Sequence, residues 1–289
     1  MAANSTHSIR VIKVNAAEIA SATDVLAIEE PLEIRLEHGP EGQRQVQNIS
    51  VTMRTPGHDA ELATGFLFTE GIIKNPEDIA KTEHCFIACA ENKENVIQVS
   101  LAPGIVPHLQ NTERNFYTTS SCGVCGKGSI DAIRTVSSFA GEPDDNDTIQ
   151  APILYQLPVI LRKHQRVFDD TGGLHASALF STVGELLLLR EDVGRHNALD
   201  KLIGAALNYN WLPLKQTVLL LSGRASFELV QKAAMAGINI IAAVGAPSSL
   251  AVELANEFNI TLIGFLREER FNVYTAAHRV QIPRYEDTY

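Results

Sequence analysis

From residue 197 onward the chain alternates between two rhythms. Helical spacing covers 197–207, 227–236 and 250–258; short apolar strand runs cover 218–222, 238–244 and 261–265. Ahead of them come a helix-patterned segment at 153–168 and two strands, 176–181 and 185–190, joined at Val183-Gly184. Alternation of this kind predicts a layered α/β sheet with helices on both faces. In such sheets ligands gather beyond the carboxyl ends of the strands. The loops in question are Asp192-Val193-Gly194-Arg195-His196-Asn197, Ser222-Gly223-Arg224-Ala225-Ser226, Gly245-Ala246-Pro247-Ser248-Ser249 and Arg267-Glu268-Glu269-Arg270.

The first half is patterned differently. Leu32, Ile34 and Leu36 alternate with Glu33, Arg35 and Glu37, and a turn at Gly39-Pro40-Glu41-Gly42 leads to a second alternating run at 46–53, which predicts a hairpin with one wet face. Pro56-Gly57 breaks it. Leu62, Ala63, Phe66 and Leu67 then recur at helical spacing before Gly71. A second hairpin is expected over 85–101, turning at Asn92-Lys93-Glu94-Asn95, and the acidic, turn-rich segment 141–150 reads as close to a domain boundary. The expected architecture is α/β: a smaller N-terminal mixed α+β domain (1–120), a cysteine loop, helix and linker (121–145), and a three-layer α/β/α domain (146–289). The order helix, strand, strand, helix, strand, helix, strand resembles the cytidine deaminase fold. A zinc deaminase needs a His or Cys with a Glu at its first core helix and P-C-x-x-C at the next. Those places read Arg195-His196-Asn197 and Ser222-Gly223-Arg224-Ala225-Ser226, without the glutamate and with no cysteine beyond Cys125, so the deaminase metal site cannot be built in its usual place.

The chemistry concentrates in Ser120-Ser121-Cys122-Gly123-Val124-Cys125-Gly126-Lys127-Gly128. Three glycines interleaved with two cysteines allow a sulfur to project from a mobile loop. Lys127, and the amides of a helix expected near Ser129, favour thiolate over thiol. Three readings compete. A zinc site could be completed by His84, Cys85 and Cys89, although the pair sits in the apolar run Phe86-Ile87-Ala88 and a buried free cysteine is an ordinary core residue. A thioredoxin-like dithiol should follow a strand in a βαβ unit, and none is evident. The third reading is a sulfur carrier.

Composition narrows the partners. A net charge of −10 argues against nucleic acid, so an anionic ligand must be met by a local basic site. With 289 residues, 45% apolar and 20% charged, the chain reads as an ordinary globule long enough for two domains. Four cysteines make no disulfide framework, residues 1–10 are polar without an apolar signal core, and no apolar run approaches the roughly 20 residues of a membrane span. A reduced, cytoplasmic protein that does not cross a membrane is expected.

Five motifs carry a resemblance over nearly the whole chain. They are Ser121-Cys122-Gly123-Val124-Cys125-Gly126-Lys127, Thr171-Gly172-Gly173-Leu174-His175-Ala176, Glu191-Asp192-Val193-Gly194-Arg195-His196-Asn197-Ala198-Leu199-Asp200-Lys201, Ser222-Gly223-Arg224, and Gly264-Phe265-Leu266-Arg267 with Asn272-Val273-Tyr274. Together they resemble the FdhD family of sulfur carriers required by formate dehydrogenase. The resemblance implies a sulfurtransferase that accepts sulfane sulfur from a cysteine desulfurase and delivers it to the molybdenum of a bis(molybdopterin guanine dinucleotide) cofactor. Cys122 would carry the persulfide, and Cys125 would share it, shield it or resolve it as a disulfide. A homodimer is expected, with formate dehydrogenase and the cysteine desulfurase as partners.

The cofactor carries two pyrophosphates and two guanines. Arg195, His196, Arg224 and the run Phe265, Leu266, Arg267, Glu268, Glu269 and Arg270 are the expected contacts, with helix N-termini after Ser222 and Ser248. Structural alternatives stand beside these. Residues 267–270 can be a solvated, self-paired charge run; Asp192, Arg195 and His196 a buried network fixing a helix start; His175 a satisfied core histidine; and Gly172-Gly173 a simple turn.

Overall fold

The computed structural model describes residues 5–85, 93–109, 139 and 147–282. Cys89, Cys122, Cys125, Lys127 and the helix expected near Ser129 lie outside them. In the second half β8 (His175–Ser181), β9 (Leu186–Asp192), β10 (Thr217–Leu221), β11 (Ile240–Ala243), β12 (Thr261–Gly264) and β13 (Asn272–Thr275) form one sheet in the order β13-β12-β11-β10-β8-β9. Strands β10, β11 and β12 are parallel; β8, β9 and β13 extend the sheet in antiparallel fashion. Helices α4 (Arg195–Asn208), α5 (Phe227–Met235) and α6 (Ser249–Glu257) supply apolar side chains to the core on one face, where Leu219, Leu221, Ile241, Ala243 and Leu262 point. Helix α2 (Ala151–His164) covers the other, against Phe180, Val218, Leu220, Ile240 and Ile263. Burial on both faces explains why these strands are unbroken apolar runs.

The expected helix over 153–168 is two helices, α2 and a short α3 (Arg166–Thr171), hinged at Gln165. In the first half β3 (Glu30–His38), β4 (Gln45–Arg54), β5 (Ile79–His84) and β6 (Val96–Leu101) form a sheet ordered β4-β3-β6-β5, packed on α1 (Asp59–Thr69). The β3–β4 hairpin is present as expected. The second hairpin is displaced: β6 pairs with residues 79–84, which precede Cys85, and the Cys85 amide donates to Val96 O (3.0 Å) at the end of that pairing. A two-stranded arm, β1 (Thr6–Val14) with β2 (Ile19–Ala27), was not expected, nor was the short pair β7 (Ile149–Gln150) with β14 (Val280–Gln281). Asp147, in the segment expected to be a polar turn, is buried and accepts from the Gln216 amide and from Asn239.

One continuous apolar core joins the halves, running from Leu32, Ile34 and Ile97 through α1 to Leu199, Leu202 and Ile203 of α4. The contact is closest where α1 crosses α4. A Cβ placed on Gly65 would lie 1.9 Å from the Asp200 carbonyl oxygen, and one on Gly204 1.9 Å from that of Glu61. Backbones this close leave no room for a side chain, which explains a glycine inside each helix despite its intrinsic cost of about 1 kcal/mol. Polar links surround the crossing. Lys232 reaches Asp200 at 3.0 Å and Thr69 at 2.9 Å, and Arg190 of β9 forks onto Glu61, with Nη2 at 2.8 Å from Oε1. No described helix is long and apolar enough to cross a membrane.

Two measurements test this joint. Gly65→Ala should force the helices apart and destabilise the protein by about 1–3 kcal/mol or more, read as a fall in thermal midpoint. Burial alone would push the Glu61 carboxyl up, but the hydrogen bonds and charges of Arg190 and His58 outweigh it and hold it at about 2. Because the folded value lies below the unfolded one, the pair's stabilisation is present above the ordinary carboxylate range, about 4.3, and is lost as pH falls toward 2. Arg190→Met should therefore move the acid-unfolding midpoint, followed by circular dichroism, to higher pH.

Candidate functional site

The parallel strands β10, β11 and β12 end side by side at Leu221, Ala243 and Gly264, and hydrogen bonding continues past their ends. Val244 N donates to Leu221 O (3.0 Å), Gly245 N to Gly223 O (2.9 Å), Ser248 N to Ala225 O (3.0 Å), Phe265 N to Gly245 O (3.0 Å) and Leu266 N to Ala243 O (3.0 Å). Three connecting loops are thus held by main-chain bonds as an extension of the sheet. Because β8 runs antiparallel to β10, and β9 to β8, His175 and Asp192 arrive at the same edge. The edge therefore gathers residues distant in sequence, and the N-termini of α4, α5 and α6 rise from it. The Ser248 hydroxyl caps α6 by accepting from Ala251 N (3.2 Å).

The expected binding residues divide into two groups here. Arg224, Arg267, Glu268, Glu269 and Arg270 are exposed, and none forms an ion pair with a described residue, so residues 267–270 are not a self-paired run. The loop closes on itself through Arg267 N to Arg270 O (2.8 Å), and Arg267 Nη1 donates to Val244 O (3.0 Å). Phe265 stands 41% exposed in left-handed conformation, φ 54°. A bulky residue seldom adopts that region, which costs of order 1–3 kcal/mol and concentrates at ligand sites. Arg195 opens α4 half-buried, and its Nε has no hydrogen-bond partner. By contrast, Leu266 is fully buried in the core behind the edge. His196 is buried as well, its Nε2 2.8 Å from Glu228 and 3.3 Å from the Ser226 hydroxyl, so it ties the start of α4 to that of α5.

Asp192 belongs to a buried network. Its carboxylate meets Lys201 at 2.7 Å and accepts from the amides of Gly194 (2.8 Å) and Thr55 (3.2 Å) and from Asn197 Nδ2 (3.2 Å). Asn197 also donates to Met53 O and Lys201 to Thr55 O, both at 2.8 Å. The network pins the α4 start to the end of β4, and so fixes where Arg195 stands. His175 lies half-buried against Gly223, whose added Cβ would come within 3.3 Å of Nδ1. Burial first, then Arg195 and His196, push its imidazole below the usual range, which keeps it neutral near pH 7. Cys85 donates from Sγ to Gln98 Oε1 at 3.5 Å, and burial pushes its thiol up, away from the thiolate a metal would need. Thr55, Met53 and Glu228 had no signal in the sequence, since they come to the edge only through tertiary contacts.

Comparison with known proteins extends along the same span. The model of the FdhD/NarQ family matches residues 27–281. A sulfur carrier protein FdhD of Mycolicibacterium paratuberculosis is 53% identical over 274 residues, covering 94% of this chain and 97% of that protein. One from Streptomyces avermitilis is 50% identical over 279 residues, covering 96% of each. A crystal structure from Desulfotalea psychrophila, described as that of a formate dehydrogenase accessory protein, superposes with a TM-score of 0.72 at 23% identity over 96% of this chain and all of that one. That likeness shows a shared fold. With a matching model over most of its length and relatives at half identity along almost all of it, the chain belongs to the FdhD/NarQ family.

Proposed function

We propose that the protein is a sulfur carrier for formate dehydrogenase maturation, in which Cys122 receives a persulfide from a cysteine desulfurase and passes its sulfur to the molybdenum of a bis(molybdopterin guanine dinucleotide) substrate. The observation that carries the reading is the sheet edge. Among the described residues Arg224, Arg267 and Arg270 stand exposed without an ion-pair partner, on loops held by main-chain bonds, in a chain of net charge −10. Guanidinium groups gathered on such loops suit pyrophosphate, which they meet with paired charge-assisted hydrogen bonds. The names of the close relatives, sulfur carrier protein FdhD, supply the chemistry that such an edge would serve.

In loading, the Cys122 thiolate attacks the outer sulfur of the donor persulfide, the donor cysteine leaves as thiolate, and a persulfide remains on Cys122. Cys125 is the second thiol of the motif; closing a disulfide with Cys122 would supply the two electrons that release the outer sulfur as sulfide. Neutral His175 and half-buried Arg195 stand at the edge beside the phosphate-binding groups. The order of β9-β8-β10-β11-β12 with intervening helices supports a cytidine-deaminase-like scaffold for this half, put to a different use.

Two experiments test the reading. Intact mass after incubation with a desulfurase and cysteine should show added sulfur on the wild type and none on Cys122→Ala, which should also abolish formate dehydrogenase maturation; normal maturation by that variant would remove Cys122 from the role. GDP, which carries guanine and pyrophosphate without the pterin, should bind by calorimetry. Replacing Arg267 and Arg270 together with Ala should weaken it at least tenfold, since each charged hydrogen bond is worth about 1.5–3 kcal/mol.

A further inference from the structure

The arm β1–β2 is the one sheet that the described body leaves incomplete. Its nine-residue strands pair in an unbroken antiparallel register from Thr6↔Ala27 to Val14↔Ile19, without bulge, proline or glycine. The base is tied down: Ile28 N donates to Ser5 O (2.9 Å), and α3 packs against β2. The outer side of β1 is open. Among the described residues β1 pairs with no strand but β2, and residues 7–14 make no main-chain bond to any other element. Every second residue of a paired strand turns its N–H and C=O away from its partner, so this side carries a row of unused donors and acceptors. A two-stranded hairpin is marginal in water, and a third strand is what makes such a unit stable.

The side chains say what kind of strand would fit. Successive residues of a strand alternate between faces, and the register sets Val14 opposite Ile19 with Ile12 one place further along the same face. These three stand 68, 73 and 72% exposed at the tip. Arg10 follows on that face, exposed and without an ion-pair partner among the described residues. The other face holds Lys13, 3.5 Å from Asp24. β1 thus carries His7, Arg10 and Lys13 and no acid, a local reversal of sign in a chain of net charge −10. That reversal opposes a second copy of the same edge, since antiparallel β1 against β1 would set cations beside cations. Protected edges are short, bulged or covered. This one is long and regular, and its charges have one sign, so they select among incoming strands rather than refuse them all.

We propose that the outer edge of β1 docks an extended segment of another protein, rich in β-branched residues and carrying carboxylates, which joins the arm as its third strand. Main-chain bonds form along residues 7–14, aliphatic side chains of the incoming strand cover Ile12 and Val14, and a carboxylate meets Arg10. Strand addition of this kind takes its affinity from the main chain and its specificity from alternate side chains. The proposal goes beyond the sulfur-carrier reading and uses none of the residues on which that reading rests.

Three capped nonapeptides, titrated into the full-length protein, supply the test. The first alternates valine with glutamate and threonine; the second has lysine in place of glutamate; the third is the first with four consecutive central amides N-methylated, which blocks both of its edges. The first should bind and slow amide hydrogen exchange in residues 7–14, the second should bind about fivefold more weakly, and the third should not bind. Arg10→Glu should weaken the acidic peptide about fivefold and strengthen the lysine peptide, with the melting temperature unchanged because Arg10 is exposed. Equal binding of the three peptides, binding of none, protection outside the arm, or an unchanged ranking in Arg10→Glu would each overturn the proposal. So would a change in sedimentation on making Arg10→Glu, which would assign the edge to a second copy of the chain. Sulfur loading of Cys122 should be the same in Arg10→Glu as in the wild type, so the carrier reading stands or falls separately.

Discussion

The rest of the structure depends on the crossing of α1 and α4. Gly65 and Gly204 bring two helix backbones into direct contact, and the residues around them carry the links between the halves of the molecule. The same helix α4 starts with Arg195 and His196, continues through Asn197, Asp200 and Lys201, and so stands at the sheet edge with one end while its flank is locked against β4, α1 and α5. A displacement of α4 would move the guanidinium of Arg195 and the environment of His175 together. The buried ion pairs of Asp192 with Lys201 and of Asp200 with Lys232 are weak evidence for stability, since desolvation offsets much of their attraction. Their consequence is positional: each charge is satisfied in one arrangement of the helices only.

For the proposed anionic ligand, the charge of the whole chain sets an electrostatic problem. A molecule with ten excess negative charges repels a polyanion at long range, but salt screens that repulsion within about 10 Å, whereas fixed cations act at contact. Under the proposed reading, helix N-termini and arginines carried on main-chain-bonded loops answer this repulsion locally. His196 contributes indirectly, by joining the starts of two of those helices.

Much of the second half could be read from the sequence, because strands such as β10 and β11 are buried on both faces and their residues have few other places to go. The loops at their ends followed from that order. The first half was harder. The arm β1–β2 carries Ile12, Val14 and Ile19 in the open, so the alternation that marks a half-buried strand is missing. The hinge at Gln165 carries neither proline nor glycine, and helical spacing runs straight through it. Thr55 and Asp192 meet across 137 residues of chain, a contact that no local pattern announces. Of the expected site residues, Arg195, Arg224, Phe265, Arg267 and Arg270 are at the edge, whereas the side chains of Leu266 and His196 serve its framework. Periodicity shows that a residue sits near a strand end; it does not show which way the side chain turns.

The three loops beyond β10, β11 and β12 are held by amides and carbonyls rather than by their side chains. Their course is thus decoupled from their chemistry. Substitution at Arg224, Glu268 or Arg270 alters what the edge presents without altering the path that presents it, so single steps there can change the surface chemistry while each leaves a folded protein behind. Such freedom does not extend to Gly65 or Asp192, where one change disturbs several elements at once. Divergence in this architecture is cheapest at the rim and dearest at the joint.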